Sequence, residues 1–473
     1  MKLYERYAAE IAALIEDGQL APGDRLPSVR EARARRGVSA STVFQAYQKL
    51  EREGLIQARP QSGFYVAATS AARMPDVPVA APGGEAGEVT VSDLVFAVLG
   101  AARSGHAAPL GSAFPGPDLF PLAQLAKAAA KGLRRLAPET IVENLAPGNP
   151  RLREQIALRY RIDGIRLRPD EIVVTNGALE ALNAALQAVT QPGDTVAIES
   201  PAFYAALQAI ERLKLKALQI RTDPEHGIDV DALADALSRT RIAACWLMPT
   251  FQNPLGCLMP EARKRVLVAL LARHAVPLIE DDVYGELYFG SQRPRPAKAY
   301  DEAGLVLHCS SFSKCLAPGY RVGWIAAGRE AQRIQRLVLM TTMAASVPAQ
   351  TAVLHYLEDG GYDRHLRRLR ASLAARMNAA MQVVETAFPP GSRLTRPRGG
   401  YFLWLALPAG LDAMRLHEAA LRNGIGFAPG HIFSPDLRFS DCLRINCGHA
   451  ADAVLPALRR LGALAHELTR STA

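Results

Sequence analysis

The run Ser310-Ser311-Phe312-Ser313-Lys314 sets an amine just behind an apolar stretch, Leu305-Val306-Leu307-His308. Taking an ammonium group out of water is costly. An aldehyde cofactor removes that cost by converting the amine to a Schiff base, a standard use of lysine. Ser311, Ser313 and Arg321, the last in Ala317-Pro318-Gly319-Tyr320-Arg321-Val322-Gly323-Trp324, then surround a phosphate, with arginine offering a planar fork of donors.

Three more short motifs suit the same chemistry. Thr175-Asn176-Gly177-Ala178-Leu179 has small residues at a strand-to-helix turn, where exposed backbone N–H groups bind anions. In Pro249-Thr250-Phe251-Gln252-Asn253-Pro254-Leu255-Gly256, Asn253 can donate to a phenolate oxygen, and the Asn253–Pro254 bond is a candidate for cis geometry. Glu280-Asp281-Asp282-Val283-Tyr284 offers a carboxylate that keeps a pyridine nitrogen protonated, with a hydroxyl three residues on reaching the same ring. Each motif alone reads equally well as a strand-end turn or cap.

What joins them is position. Each follows an apolar strand-like run: Glu171–Val174, Ala244–Met248, Val276–Ile279 and Leu305–His308, with Thr195–Ile198 as a further run. Such strands, alternating with helical patterns, predict a largely parallel sheet covered on both faces. Open sheets of this kind bind ligands at strand C-terminal ends.

The 473 residues are 49% hydrophobic and 21% charged, an ordinary composition for a chain with a large core. No run of 18 apolar residues occurs and the first residues lack the apolar stretch of a signal peptide, so a cytoplasmic location without membrane partners is expected. Six scattered cysteines (245, 257, 309, 315, 442 and 447) show no metal-ligand spacing and read as free thiols, with no metal. Of the net charge of +9, little sits in residues 1–67, which carry ten basic and eight acidic side chains; Arg30, Arg33, Arg35 and Arg36 form a local cluster there.

Three regions are expected: a domain over residues 1–67, an Ala/Pro/Gly-rich linker over 68–88, and a domain over 89–473. In the first, Leu3, Tyr7, Ile11, Leu14 and Ile15 make a helical stripe that Gly18 and Pro22-Gly23 end. Ser28 caps a second helix with Glu31 as its capping-box partner, and Gly37 stops it. Ser39 or Ser41 opens a third helix to about Glu53, and two short strands around Arg59–Gly63 form a hairpin. This is a winged helix-turn-helix, whose third helix enters the DNA major groove.

The stretch RLPSVREARARRGVSASTVFQAYQKLEREGLIQARPQSGFYV resembles the GntR class of regulators. That resemblance implies that Arg30 contacts phosphate, that Ser41 and Thr42 begin the recognition helix, and that Gly63 lies in the wing tip. The class usually has arginine where this chain has Ala40, so weaker or altered DNA affinity is expected.

The ordered motifs TNGALEAL, ESPAFY, NPLG, EDDVYGEL, SSFSKCLAPGYRVGW, GGYFLW and LRINCG resemble the fold-type I aminotransferases over about residues 108–460. The resemblance implies an α/β domain binding pyridoxal 5′-phosphate. Lys314 would form the internal aldimine, Asp281 would pair with the pyridinium, and Asn253 and Tyr284 would hold the ring oxygen. Phe203 would stack on the ring, with Tyr204 the lesser choice. Gly177, Ala178, Ser311, Ser313 and Arg321 would hold the phosphate, and Arg444 would bind a substrate or effector carboxylate. Two departures stand out: no tyrosine precedes Gly148 in Glu143-Asn144-Leu145-Ala146-Pro147-Gly148, which puts a cross-subunit phosphate contact in doubt, and Leu179 replaces a commonly polar residue.

Both halves together, with Phe114-Pro115-Gly116-Pro117-Asp118-Leu119-Phe120-Pro121 at the large domain's entrance, resemble the MocR subgroup of GntR-type regulators. The subgroup implies a homodimer that binds operator DNA and responds to an amino acid or amine through external aldimine formation. The alternatives are a working aminotransferase with a residual DNA-binding head, and a DNA-binding protein whose large domain only dimerises.

Overall fold

In the computed structural model, residues 3–17, 19–21, 23–52, 55–59, 62–66, 74–80, 85–103, 108–142 and 145–472 are described. Gly18, Pro22, Glu53, Gly54, Pro60, Gln61, Glu143 and Asn144 lie outside them, as does much of the expected linker. The chain divides into a small unit, made of the N-terminal residues to Met74 with Asn378–Ala387, and a large unit of Pro75–Met377 and Phe388–Ala473.

The small unit is three helices and a hairpin: α1 (Leu3–Glu16), α2 (Val29–Arg36), α3 (Ala40–Arg52), β1 (Ile56–Arg59) and β2 (Gly63–Val66). Ser28 caps α2 by accepting from the Glu31 N–H at 3.2 Å, while the Glu31 carboxylate accepts from the Ser28 N–H at 2.8 Å. Such a box satisfies two backbone donors that the helix itself leaves unpaired. Gly37 ends α2 in the left-handed conformation, φ 65°. Ser39, not Ser41, caps α3: its Oγ accepts from the Thr42 N–H at 3.1 Å. Tyr7, Ile11, Val43, Ala46, Tyr47 and Leu50 fill the core. Leu3, placed on the apolar stripe by spacing, is instead 47% exposed in the first turn of α1.

The large unit is built on an eight-stranded sheet in the order β3-β10-β9-β8-β7-β4-β5-β6. Its strands are β3 (Ile172–Thr175), β4 (Thr195–Ser200), β5 (Lys216–Asp223), β6 (Gly227–Ile228), β7 (Ala244–Leu247), β8 (Leu278–Asp281), β9 (Val306–Ser311) and β10 (Gly323–Ala326). β10 and β6 pair antiparallel with their neighbours; β9, β8, β7, β4 and β5 run parallel. β3, β4, β7, β8 and β9 are buried at every residue, as strands covered on both faces must be. Their C-terminal ends open along one edge of the sheet.

A second sheet, not anticipated from sequence, is antiparallel in the order β11-β12-β14-β13: β11 (Arg393–Leu394), β12 (Phe402–Ala406), β13 (Ala428–Pro429) and β14 (Cys442–Asn446). β12 is a short apolar run and β14 a short run interrupted by Arg444, and periodicity cannot tell which partner such a run takes. Within the stretch expected as linker, Gly87 exchanges two backbone hydrogen bonds with Ala217, at 3.0 and 2.9 Å, and Pro75 O accepts from the Leu394 N–H at 3.0 Å. These segments attach to the large unit through backbone groups, which need no bulky side chains. All six cysteines are buried free thiols. No helix among the described residues is long and apolar enough to cross a membrane.

Candidate cofactor and effector site, and candidate DNA interface

β3 ends at Thr175, and Gly177 turns the chain into the helix Ala178–Val189 with φ 87°, a conformation glycine adopts freely. On β10, Gly323 pairs with Thr175 on one side and Ser311 on the other. A Cβ on Gly323 would lie 2.4 Å from the Gly177 carbonyl carbon, and one on Gly177 would lie 2.4 Å from Arg321 Nη2. The two glycines thus let three chain segments close onto one corner. Arg321 donates from Nη2 to Asn176 O at 3.0 Å and from Nη1 to Ser313 Oγ at 3.4 Å, and the Ser313 N–H donates to Ser311 Oγ at 3.3 Å. Gly177, Ala178, Ser311, Ser313 and Arg321 therefore converge at a helix N-terminus, a suitable place for a phosphate.

Lys314 follows β9 and is half-buried. Its Nζ donates to Ala113 O at 2.8 Å and lies 3.8 Å from the Phe114 ring centroid. Burial first, then the Arg444 and Arg321 charges, push its pKa down to about 7, against the pull of Asp281. A large share of this amine is therefore neutral and nucleophilic near pH 7. Covalent capture of pyridoxal phosphate by the cofactor-free protein should thus quicken about tenfold between pH 6 and pH 8, then level off. A stopped-flow pH series checks this. An unshifted lysine would instead keep accelerating about tenfold per pH unit without levelling.

Asp281, the last residue of β8, is 1% exposed, and its Oδ1 has no hydrogen-bond partner among the described residues. Burial, with the neighbouring Asp282 charge second, raises its pKa to about 7. Asp282 takes the opposite course: burial disfavours its charge, but Arg293 and His308 hold it below the usual range. It accepts from Arg293 Nη2 at 3.0 Å and pairs with His308 Nε2 at 3.1 Å. His308 in turn meets the Tyr160 hydroxyl at 2.6 Å, which accepts from Trp324 Nε1 at 2.9 Å. Both carboxylates leave Oδ1 without a hydrogen-bond partner among the described residues; Asp282 is anchored through Oδ2 by Arg293 and His308, while the open acceptor of Asp281 belongs to a carboxylate with no ion pair among the described residues. Buried acceptors are rarely left open without a reason, and a protonated pyridine nitrogen fits this one.

Arg444 on β14 is completely buried. It donates from Nη1 to Asn253 Oδ1 at 3.0 Å, and from Nη2 to Gly111 O at 2.8 Å and Ser112 O at 3.4 Å; its Nε has no partner among the described residues. The rings of Phe402 and Phe433 lie 4.2 and 5.3 Å from its guanidinium carbon. Asn253 Nδ2 donates to the Tyr284 hydroxyl at 3.4 Å, and the Asn253–Pro254 bond is cis. Burial pushes the Tyr284 hydroxyl pKa well up, so it stays protonated. Phe203 is half-buried ahead of the helix Tyr204–Arg212. Tyr204 is buried, its ring centroid 5.9 Å from that of Phe433, and it is among the tyrosines surrounding Arg444.

The structure thus brings Lys314, Asp281, Tyr284, Asn253, Arg444, Arg321 and the Gly177 turn to one edge of the sheet. Sequence reasoning missed the strap Gly111–Phe114 that lies across them. Its carbonyls accept from Arg444, Lys314, Tyr401 (to Ala113 O, 2.9 Å) and Asn446 (to Ser112 O and Phe114 O, 2.8 and 2.7 Å). Backbone carbonyls leave no side-chain signature. The only available signal was proximity to the FPGPDLFP motif.

In the small unit, Arg30 and Ser41 are exposed and Thr42 is half-buried. The Ser41 and Thr42 hydroxyls each lie 2.8 Å from Ser39 Oγ. Gly63 opens β2 with φ 108°, next to Arg25. Arg36 of the basic cluster turns back onto Glu10 at 2.7 Å and stacks over Tyr7 at 5.4 Å. Arg30, Arg33 and Arg35 are exposed.

A winged helix-turn-helix joined to an aminotransferase-type sheet with this site defines an aminotransferase-like regulator. Residues 113–461 match the model of the class I and II aminotransferases, and residues 3–66 match that of the gntR family of bacterial regulatory proteins. The chain is 49% identical, over 99% of its length and all of the relative's, to the HTH-type transcriptional regulator YdcR of Escherichia coli, which is itself uncharacterised. It is 35% identical to the 2-aminoadipate transaminase of Thermus thermophilus, over 74% of this chain and 87% of that one. Among solved structures, the multiple substrate aminotransferase of Thermococcus profundus superposes with a TM-score of 0.75 at 26% identity, over 80% of this chain and 95% of that one. The chain belongs to the MocR-like group of GntR-type regulators, with a fold-type I aminotransferase domain.

Proposed function

We propose that this protein is a DNA-binding regulator whose large domain holds pyridoxal phosphate and senses an amino acid or related amine. The observation that carries the reading is the open Oδ1 of buried Asp281 in the same site as Lys314 and the buried Arg444 fork. Lys314 holds the cofactor's aldehyde carbon and Asp281 its ring nitrogen. Asn253 and Tyr284 hold the ring oxygen, Phe203 covers the ring face, and Gly177, Ala178, Ser311, Ser313 and Arg321 take the phosphate. When bound, the cofactor supplies an aldehyde that takes amines in Schiff-base linkage and a ring that withdraws electrons. Arg444 would grip the effector's carboxylate in place of the Gly111 and Ser112 carbonyls, and Lys314 is the amine with which the effector's amine would compete.

The small domain, 1–67, docks α3 in the major groove, with Ser41 and Thr42 at its start, Arg30 on phosphate and Gly63 in the wing. A homodimer suits two half-sites related by a two-fold axis. The effector acts by binding one of two states of the protein better than the other. Lys314, with its pKa near 7, is also suited to moving protons. Slow transamination can therefore accompany sensing and is measured as keto-acid release.

The test is a screen of amines on the cofactor-loaded protein by visible absorbance. Those that perturb the cofactor should also change operator affinity, and amines that leave it untouched should not.

A further inference from the structure

The helix α3 has two unlike faces. Val43, Ala46, Tyr47 and Leu50 are all at 0% exposure and face the core. Ala40, Ser41, Phe44, Gln45 and Gln48 face outward. Phe44 is the anomaly, a large apolar side chain 48% exposed in the middle of the outer face. The neighbouring rings of Tyr7, Tyr47 and Phe64 associate inside the core, at 6.3 and 5.0 Å between centroids, and Phe44 joins none of those pairs. One turn before it stands Ala40, also exposed, where the related class usually has arginine. Residues four apart stack along a helix. The outer face therefore carries a short apolar stripe, Ala40–Phe44, between the hydroxyl of Ser41 and the amide of Gln45.

Exposed Arg30, Arg33 and Arg35 on α2 give the unit the positive charge that a phosphate backbone attracts. In the major groove, the one apolar feature that a base edge presents is the thymine C5-methyl, which alanine and phenylalanine contact. We propose that the Ala40–Phe44 stripe reads thymine methyl groups, with Phe44 fixing a thymine in each half-site of the operator. This rests on α3 being the recognition helix. It also recasts the missing arginine at position 40: an apolar reader replaces a charged one, so a charged contact to the DNA gives way to a methyl contact.

The experiment uses the full-length protein. Duplexes are selected from a randomised pool with the wild type and with Phe44→Ala. The enriched thymine is then replaced by deoxyuridine, which removes the methyl group and nothing else. Wild type should lose about fourfold in affinity per thymine replaced, the worth of one methyl taken from water. Phe44→Ala should bind thymine and uracil duplexes alike and show no base preference at that position. Equal wild-type affinity for both duplexes overturns the inference while leaving DNA binding intact, and the wild-type comparison stands even if the variant fails to fold. Discrimination that survives in Phe44→Ala also overturns it. A pool with no enrichment at all overturns the recognition-helix reading and this inference with it.

Discussion

Replacing Lys314 by alanine should abolish the visible absorbance band of a lysine-bound cofactor completely, while leaving the fold intact. The side chain makes one hydrogen bond, to Ala113 O, and is half-buried; Asp281 loses the Lys314 charge that favours its carboxylate and is held protonated more strongly. The phosphate corner of Gly177, Ser313 and Arg321 does not depend on it. Pyridoxal phosphate should therefore still bind, but more weakly and removably by dialysis. The other amine worth considering is Lys264, which is fully buried. It already donates to Thr250 Oγ1 at 2.7 Å and Arg295 O at 2.8 Å, so it is committed to structure. A band that persists in Lys314→Ala would show that another lysine carries the aldehyde, and the site assignment would be wrong. Absorbance and borohydride trapping followed by peptide mapping decide the matter.

Arg444→Lys should lower affinity for amino acids by roughly 100-fold while leaving amines without a carboxylate nearly unaffected. The guanidinium reaches three acceptors, on Asn253, Gly111 and Ser112, and a lysine's point charge cannot match that fork. A charge-assisted pair lost inside a buried site costs about 3 kcal/mol, which sets the factor. The cofactor band should remain, because Lys314, Asp281 and the phosphate corner are untouched. Isothermal titration of both ligand types against both proteins gives the comparison. Equal weakening of both types would mean that Arg444 acts through Asn253 on the ring rather than on a carboxylate.

Much of this site was legible in the sequence because its side chains sit at the ends of uninterrupted apolar strands. β7, β8 and β9 are buried on both faces, so their runs stand out, and the polar residue after each marks an edge. That position marks the motifs around Lys314, Asn253 and Glu280-Asp281-Asp282; the choice of Asp281 among the three acidic residues comes from the aminotransferase resemblance. Helix boundaries in the small unit followed from Ser28, Glu31 and Gly37, whose roles depend only on local geometry. What stayed hidden depends on long-range pairing. β12 looks like any other apolar strand and β14 carries Arg444 and Asn446, and their antiparallel sheet is set by contacts far apart in sequence. The strap at Gly111–Phe114 acts through carbonyls, and the division of labour between Asp281 and Asp282 depends on Arg293 and His308 arriving from other elements. Pro75–Ala80 reads as a linker by composition, but backbone pairing at Pro75 ties it to the large unit.

The most direct test of the account is the operator affinity of the cofactor-loaded, full-length protein, measured with and without an amino acid that shifts its visible spectrum. The account requires affinity to change at least about fivefold, the lower end of allosteric coupling, in wild type and not in Lys314→Ala. Unchanged affinity, across every amine that perturbs the cofactor, would contradict the claim that the aminotransferase-like domain governs DNA binding.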